Sequence, residues 1–279
     1  MKAVTHNGKF HGDEIFALGV LKLIYPDLEI IRSRDEKIFS ESDLLIDVGR
    51  KFDNEKYFDH HQTDFKEKRE NGIPYASVGL VWKKFYNKLT NEKVYEYLDK
   101  RFFQFIDADD SGIKTFESKQ CETYTIGNMI DSMNNSEKSD EYFFDVLNFV
   151  VKLLKNEIKR TENLFEAEEI IKEKLKGCKD YIVLEKYIPW KEWLVGNSKV
   201  KFVIYKGEDS STWCSCANYL KPVGFERVAY FPKEWGGLED KDMVKVTGVD
   251  SSVFCHKDLF ICVAKTKEAV IELTKLALK

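Results

Sequence analysis

No uninterrupted apolar run in this 279-residue sequence approaches the roughly 20 residues of a membrane span, and Met1 leads straight into Lys2-Ala3-Val4-Thr5 without an apolar leader core. A cytoplasmic protein with no membrane partner is expected. No C-x-x-C pair occurs either. Cys121, Cys178, Cys214, Cys216, Cys255 and Cys262 are scattered, with a single C-x-C, which argues for reduced core cysteines over a disulfide framework or a zinc knuckle. Excess basic charge is missing as well: residues 1–176 hold 28 Lys+Arg against 34 Asp+Glu, and residues 177–279 hold 16 against 14. That balance excludes a long duplex held by charge alone. A polyanionic substrate would have to be held by bound metal and a local set of basic side chains, which favours small or single-stranded substrates. Internal repeats and low-complexity tracts are absent too.

What is present suits a folded α/β chain. Hydrophobic residues make up 43% of the sequence, and the length favours two domains over one large α/β domain. Ala3–Thr5 reads as a short buried strand, and the spacing of Ile15, Leu18, Val20, Leu21 and Ile24 as a helix stopped at Tyr25-Pro26. Glu29–Arg32 and Leu44–Ile46 read as further strands. This alternation predicts a mostly parallel sheet with flanking helices. Helical patterning covers 77–89 and 92–106, with a charged loop, 63–74, as a mobile edge before them. A helical connector over 140–176, read as two helices, separates the catalytic domain (1–139) from a smaller C-terminal α+β domain (177–279). The connector's apolar face can also support a homodimer. In the last domain, 181–184, 200–205 and 228–231 read as strands and 267–278 as a closing helix.

Histidine is scarce, yet four of the five lie in the first 61 residues, each near a carboxylate. His6 follows the first strand and Asp47 the third, so both would enter the crevice beyond the carboxyl ends of a parallel sheet. His11-Gly12-Asp13-Glu14, Asp59-His60-His61-Gln62 and the acidic turn from Asp107 to Asp110 fall on the same edge. Each has a bland reading: Asp13 could N-cap a helix beginning at Glu14, Asp47 could be a turn residue, and His60-His61 surface polar groups. Together they supply the number and kind of ligands that a pair of divalent ions needs. Imidazole nitrogen and carboxylate oxygen, with no thiolate among them, suit Mn²⁺, Zn²⁺, Co²⁺ or Fe²⁺.

The segments 5–14, Asp47-Val48-Gly49, Tyr57–Gln62 and 106–112 resemble the MYG1 (UPF0160) family. The likeness continues through Pro189-Trp190-Lys191, Phe225-Glu226-Arg227, Trp235–Leu238 and Ser252–His256, and so spans nearly the whole chain. That family is similar to the DHH phosphoesterases, which include RecJ-type exonucleases, oligoribonucleases and family II pyrophosphatases. The resemblance implies a DHH-like fold, two divalent ions with Mn²⁺ foremost, and 3′-5′ exonuclease activity on RNA or short oligonucleotides. It implies metal ligation by His6, His11, Asp13, Asp47 and His60, with Asp47 bridging, and by Asp110 or its substitute Asp107. Asp59 would orient an imidazole, and His61 would contact the substrate phosphate. His11 stands where the motif more commonly has aspartate. In the C-terminal half, where the expected glycines are missing around His256 and Cys262, Arg227, Lys191 and His256 are candidates for holding substrate in a cleft between the domains. Trp190, Trp213 and Trp235 could stack bases but fit core packing better. Two rival functions stay open: a small-molecule phosphatase or pyrophosphatase, and a metal-stabilised binding protein without turnover.

Overall fold

A computed structural model of the chain describes residues 1–117, 120–121, 123–134, 139–207 and 211–279. They form two compact units, Met1–Glu162 and Asn163–Lys279. No helix among the described residues is long and apolar enough to cross a membrane.

The first unit is built on four strands, β1 (Lys2–Thr5), β2 (Glu29–Arg32), β3 (Leu44–Ile46) and β4 (Tyr57–Phe58), in the order β2-β1-β3-β4. Every pairing is parallel, so all four carboxyl ends lie along one edge. β1 and β3 hold the centre because Ala3, Val4 and Leu44–Ile46 are buried, as a sheet covered on both faces requires. Between β1 and β2 runs α1 (Gly12–Ile24), whose first ten residues are all buried and which ends two residues before Pro26. A short α2 (Glu36–Ser40), not anticipated from the sequence, joins β2 to β3.

After β4 come α3 (Ser77–Phe85), α4 (Glu92–Leu98), α5 (Gln104–Asp110), α6 (Ile126–Asp131) and α7 (Ser139–Leu175). The expected helix over 92–106 is in fact α4 and α5 joined by a π-helical turn, Asp99–Phe103. The expected pair of helices over 140–175 is one, since no Gly or Pro interrupts it. The division between the two units falls within this helix. Gly19 lets α1 and α7 approach closely: a Cβ there would lie 2.8 Å from Val150 Cγ1. Loop 63–74, expected to be mobile, is pinned by Arg69. Its guanidinium is buried, donates through Nε and Nη2 to Asp99 (2.8 and 2.7 Å) and through Nη1 to Asp107 (2.5 Å), and stacks on Tyr75.

The second unit carries β5 (Tyr181–Leu184), α8 (Lys191–Leu194), β6 (Phe202–Lys206), β7 (Trp213–Ala217), α9 (Asp240–Thr247), β8 (Ser252–Cys255), β9 (Ile261–Ala264) and α10 (Lys267–Ala277). Its sheet runs β5-β6-β7-β9-β8, parallel only between β5 and β6. The strand expected over 228–231 does not form. β7 is already paired on both edges, so this segment is left with isolated bonds, Val228 N to Asn218 O and Phe231 N to Leu259 O. The packing reading of the tryptophans holds for Trp190 and Trp235, both buried. Cys216, Cys255 and Cys262 are in the core, with their thiols outside any disulfide.

Candidate metal centre

The loops leaving the parallel strands bring the candidate ligands together. His6 directly follows β1, Asp47 follows β3, Asp59–His61 follow β4, and α1 begins at the His11–Glu14 segment. The loop between His6 and His11 is tied down at Phe10, whose N–H donates to Asn134 Oδ1 (2.8 Å) and whose carbonyl accepts from Asn134 Nδ2 (2.7 Å). Asp47 has a φ of 55°, in the left-handed region where a non-glycine residue is strained by about 1–3 kcal/mol. That backbone sets its carboxylate among three imidazoles.

Three overlapping groups result, each with its ligand atoms within 4.8 Å of one another: His6, His11, Glu14 and Asp47; Asp47, His60 and His61; and Asp13, His60 and Asp110. His6 Nε2 lies 3.1 Å from Glu14 Oε1 and 3.3 Å from Asp47 Oδ2. Its Nδ1 lies 3.2 Å from the Asn7 carbonyl, which can only accept, so when the ring is neutral its proton belongs on Nδ1 and Nε2 is the nitrogen left to bind an ion. His60 Nε2 is 3.2 Å from Asp110 Oδ2, 3.5 Å from Asp47 Oδ1 and 3.6 Å from Asp13 Oδ2. Despite those neighbours it has no partner in hydrogen-bonding geometry, nor has Glu14 Oε2, and both atoms are buried. A buried nitrogen ringed by oxygens from three carboxylates, bonded to none, is the arrangement a divalent cation satisfies. The donor set fits such an ion.

Electrostatics agree with a cation-seeking site. Burial pulls the His6 imidazole down, but hydrogen bonding to Asp47 and Glu14 outweighs it and raises the pKa to about 10. His60 is likewise lowered by burial and raised further by Asp110 and Asp47, to about 11. Burial, with Asp110 and Asp47 nearby, pushes Asp13 well above the usual carboxylate range. Asp47 is held well below it, because His6, His60 and His61 overcome its burial.

Asp13 does not cap a helix beginning at Glu14: α1 begins at Gly12, with His11 as its N-cap. Instead the Asp13 carboxylate accepts from the amides of Ser77 (2.9 Å) and Val78 (2.6 Å) and so caps α3. Asp59 orients His61, accepting from its ring Nδ1 (2.9 Å) and its backbone N–H (3.0 Å), and also from the Arg50 amide (2.6 Å). The His61 ring is half exposed, and Asp47 and Asp59 raise its pKa to about 10. Asp110 joins the centre, but Asp107 belongs to none of the three groups. It is fully buried and accepts from Arg69, Ala76 N and Gly79 N, the last two at 3.1 Å. Gly79 permits that approach, since a Cβ there would lie 2.0 Å from Asp107 Oδ2.

Glu14 is the member the ligand assignment missed. Its signal was in the sequence: it stands three residues after His11, and its side chain accepts from the His11 N–H at 2.8 Å, half of a capping box. Of the residues proposed to hold substrate in the second unit, Arg227 is 7% exposed, stacked on Tyr219 (3.6 Å) and Phe260 (4.9 Å), and donates to the Ala217 carbonyl at 3.1 Å. Lys191 lies 4.0 Å from the Tyr219 ring and His256 4.4 Å from that of Phe260; both are partly exposed.

The MYG1_exonuc family model, described as Uncharacterised protein family (UPF0160), matches residues 2–278. A MYG1 protein of Schizosaccharomyces pombe is 26% identical over 100% of this chain and 97% of its own length, and one of Chlamydia muridarum 29% identical over 99% and 96%. A Mus musculus relative named MYG1 exonuclease is 27% identical over 98% of this chain and 84% of its own. Among solved structures, RecJ of Thermus thermophilus in complex with Mn²⁺ aligns with 99% of this chain at 11% identity and a TM-score of 0.29. The alignment covers 52% of RecJ, so the chain spans about half of that protein's length. With the family model matched from end to end, the chain belongs to the MYG1 (UPF0160) family.

Proposed function

We propose that the chain is a divalent-metal-dependent phosphoesterase that removes nucleotides stepwise, in the 3′-5′ direction, from single-stranded RNA or short oligonucleotides. The observation that carries this reading is the set of three ligand groups, the first linked to the second by Asp47 and the second to the third by His60. Shared ligands are what two neighbouring ions need. His6, His11, Glu14 and Asp47 would hold one ion, and Asp13, Asp47, His60 and Asp110 the other, with Mn²⁺ favoured by the mixed nitrogen and oxygen donors. When bound, such ions supply Lewis acidity to a phosphoryl oxygen and a nucleophile at neutral pH. The chain's own groups do the rest. Asp59 fixes the ring of His61, and in the metal-free chain Asp47 and Asp59 raise its pKa. Its exposed side can therefore bind a phosphate oxygen and give a proton to the leaving oxygen. Asp13 ties the ligand set to α3 through two amides, so the ligands are ordered before substrate arrives. In the second unit, Lys191 and His256 are our candidates for substrate contact, with Arg227 ordering the rings beside them.

End-labelled single-stranded RNA with Mn²⁺ tests the reading. A ladder growing from the 3′ end is expected, with little attack on blunt duplex. Internal cuts, or pyrophosphate hydrolysis without RNA cleavage, would replace it with the endonuclease or pyrophosphatase alternative.

A further inference from the structure

The ligand groups, Glu14 apart, line a cavity of about 1250 Å³ in the first unit. Among its lining residues only Arg34 and Arg50 carry a permanent positive charge, against Glu36, Asp59, Asp109 and Asp131 besides the carboxylates of the ligand groups. Arg34 follows β2 and Arg50 follows β3, and the strand order places β1, with His6 at its end, between them. Both side chains are exposed, and neither guanidinium has a hydrogen bond or ion pair among the described residues. Other arginines of this unit are committed: Arg32 donates to the Gly8 carbonyl and pairs with Asp140, and Arg69 is held by Asp99 and Asp107.

Arg50 is also held in an unusual backbone. Its φ is 49°, directly after Gly49 at 97°, and its N–H is fixed by Asp59 Oδ2. Such a conformation is costly for a non-glycine residue and persists where the surroundings impose it. The same carboxylate positions His61, so one residue sets both side chains against the cavity.

Charge decides what these arginines are for. Asp13, Glu14, Asp47 and Asp110 bring four negative charges to the ligand groups, which two divalent ions would offset without surplus. A substrate with one phosphate can be served by the ions alone. One with a second phosphate needs a separate cation. Phe105 (44% exposed) and Phe116 (66% exposed) line the same cavity and offer faces on which a base can stack. We propose that Arg34 and Arg50 grip a non-scissile phosphate of a single-stranded oligonucleotide whose bases stack on Phe105 and Phe116. The arginines thereby select an oligonucleotide over a small phosphate ester. This rests on the phosphoesterase reading above.

The test uses the 279-residue chain loaded with Mn²⁺ and the variants Arg34→Ala, Arg50→Ala and their double. Binding is read by fluorescence anisotropy of a labelled, hydrolysis-resistant phosphorothioate hexanucleotide. Turnover is read on an RNA hexamer and on bis(p-nitrophenyl) phosphate, which has a single phosphate. The double variant should bind the hexanucleotide about tenfold or more weakly and raise KM for the hexamer to match. Its turnover of bis(p-nitrophenyl) phosphate should be unchanged. The slope of log affinity against log salt should also flatten by roughly 0.7 for a lost phosphate contact. Phe105→Ala and Phe116→Ala should weaken binding without that change of slope. Unchanged hexanucleotide affinity in the double variant, or equal losses on both substrates, would overturn the proposal. If the arginines govern binding while the wild type cleaves no phosphodiester, the phosphoesterase reading fails and the clamp stands. If the wild type cleaves both substrates and the double variant binds like wild type, the clamp alone fails.

Discussion

The ligand cluster of the first unit and the Arg227 cluster of the second both gather polar groups in or near the core, but their deficits have opposite sign. His60 Nε2 has three carboxylates within 3.6 Å and bonds to none of them. Carboxylate oxygens there outnumber donors, an imbalance that a divalent cation would answer. Arg227 is itself the cation, and two aromatic faces and the Ala217 carbonyl already receive its charge. Burial alone therefore does not mark a reactive site. The distinction is whether the surroundings complete the group or leave it open.

Substitutions that remove the shared acceptor should sharpen this contrast most. Asp47→Asn removes the charge common to two ligand groups, and phosphodiester turnover should fall by more than about 100-fold with loss of bound metal, read by kinetics and metal analysis. His61→Ala should keep the metal content and lose roughly 10²–10⁴-fold in kcat, the scale of a positioned proton donor. An emptied site would make His61 a ligand. Arg227→Ala should behave differently from both. It removes a buried cation–π and hydrogen-bonding group, so stability in denaturant should drop by about 2–3 kcal/mol while metal stoichiometry is unchanged. A loss of metal in that variant would break the comparison.

The smallest effect is one of pH. Without metal, His6 and His60 are protonated at neutral pH, since their carboxylate neighbours raise them to about 10 and 11. A metal ion needs the neutral imidazole, so binding must release protons, and affinity should rise with pH across 6 to 9, by about one log unit per pH unit for each proton displaced. Calorimetry in buffers of different ionisation enthalpy reads this release. Affinity that is flat with pH would mean that these imidazoles are not displaced.

The strands of the first unit were legible because short apolar runs bounded by polar turns admit few alternatives: β2 and β3 fall on the expected residues, and β1 begins one residue earlier. The gathering of His6, Asp47 and His60 was legible for a related reason, since all three sit just past strand ends on one edge of a parallel sheet. Contacts distant in sequence were not. Nothing local says that Asp13 caps α3, 64 residues away, or that Arg69 binds Asp107, 38 residues away. The Val228–Phe231 segment has strand-like residues, but pairing depends on a free sheet edge, and β7 has none to give.

The central claim is that the loops of one parallel sheet build a centre for two ions that share Asp47. Isothermal titration of the metal-free 279-residue chain with Mn²⁺ tests it most directly, alongside Asp47→Asn and His60→Ala. Close to two ions per chain are predicted for the wild type, with both sites weakened by Asp47→Asn. A single tight site indifferent to both substitutions would contradict the account.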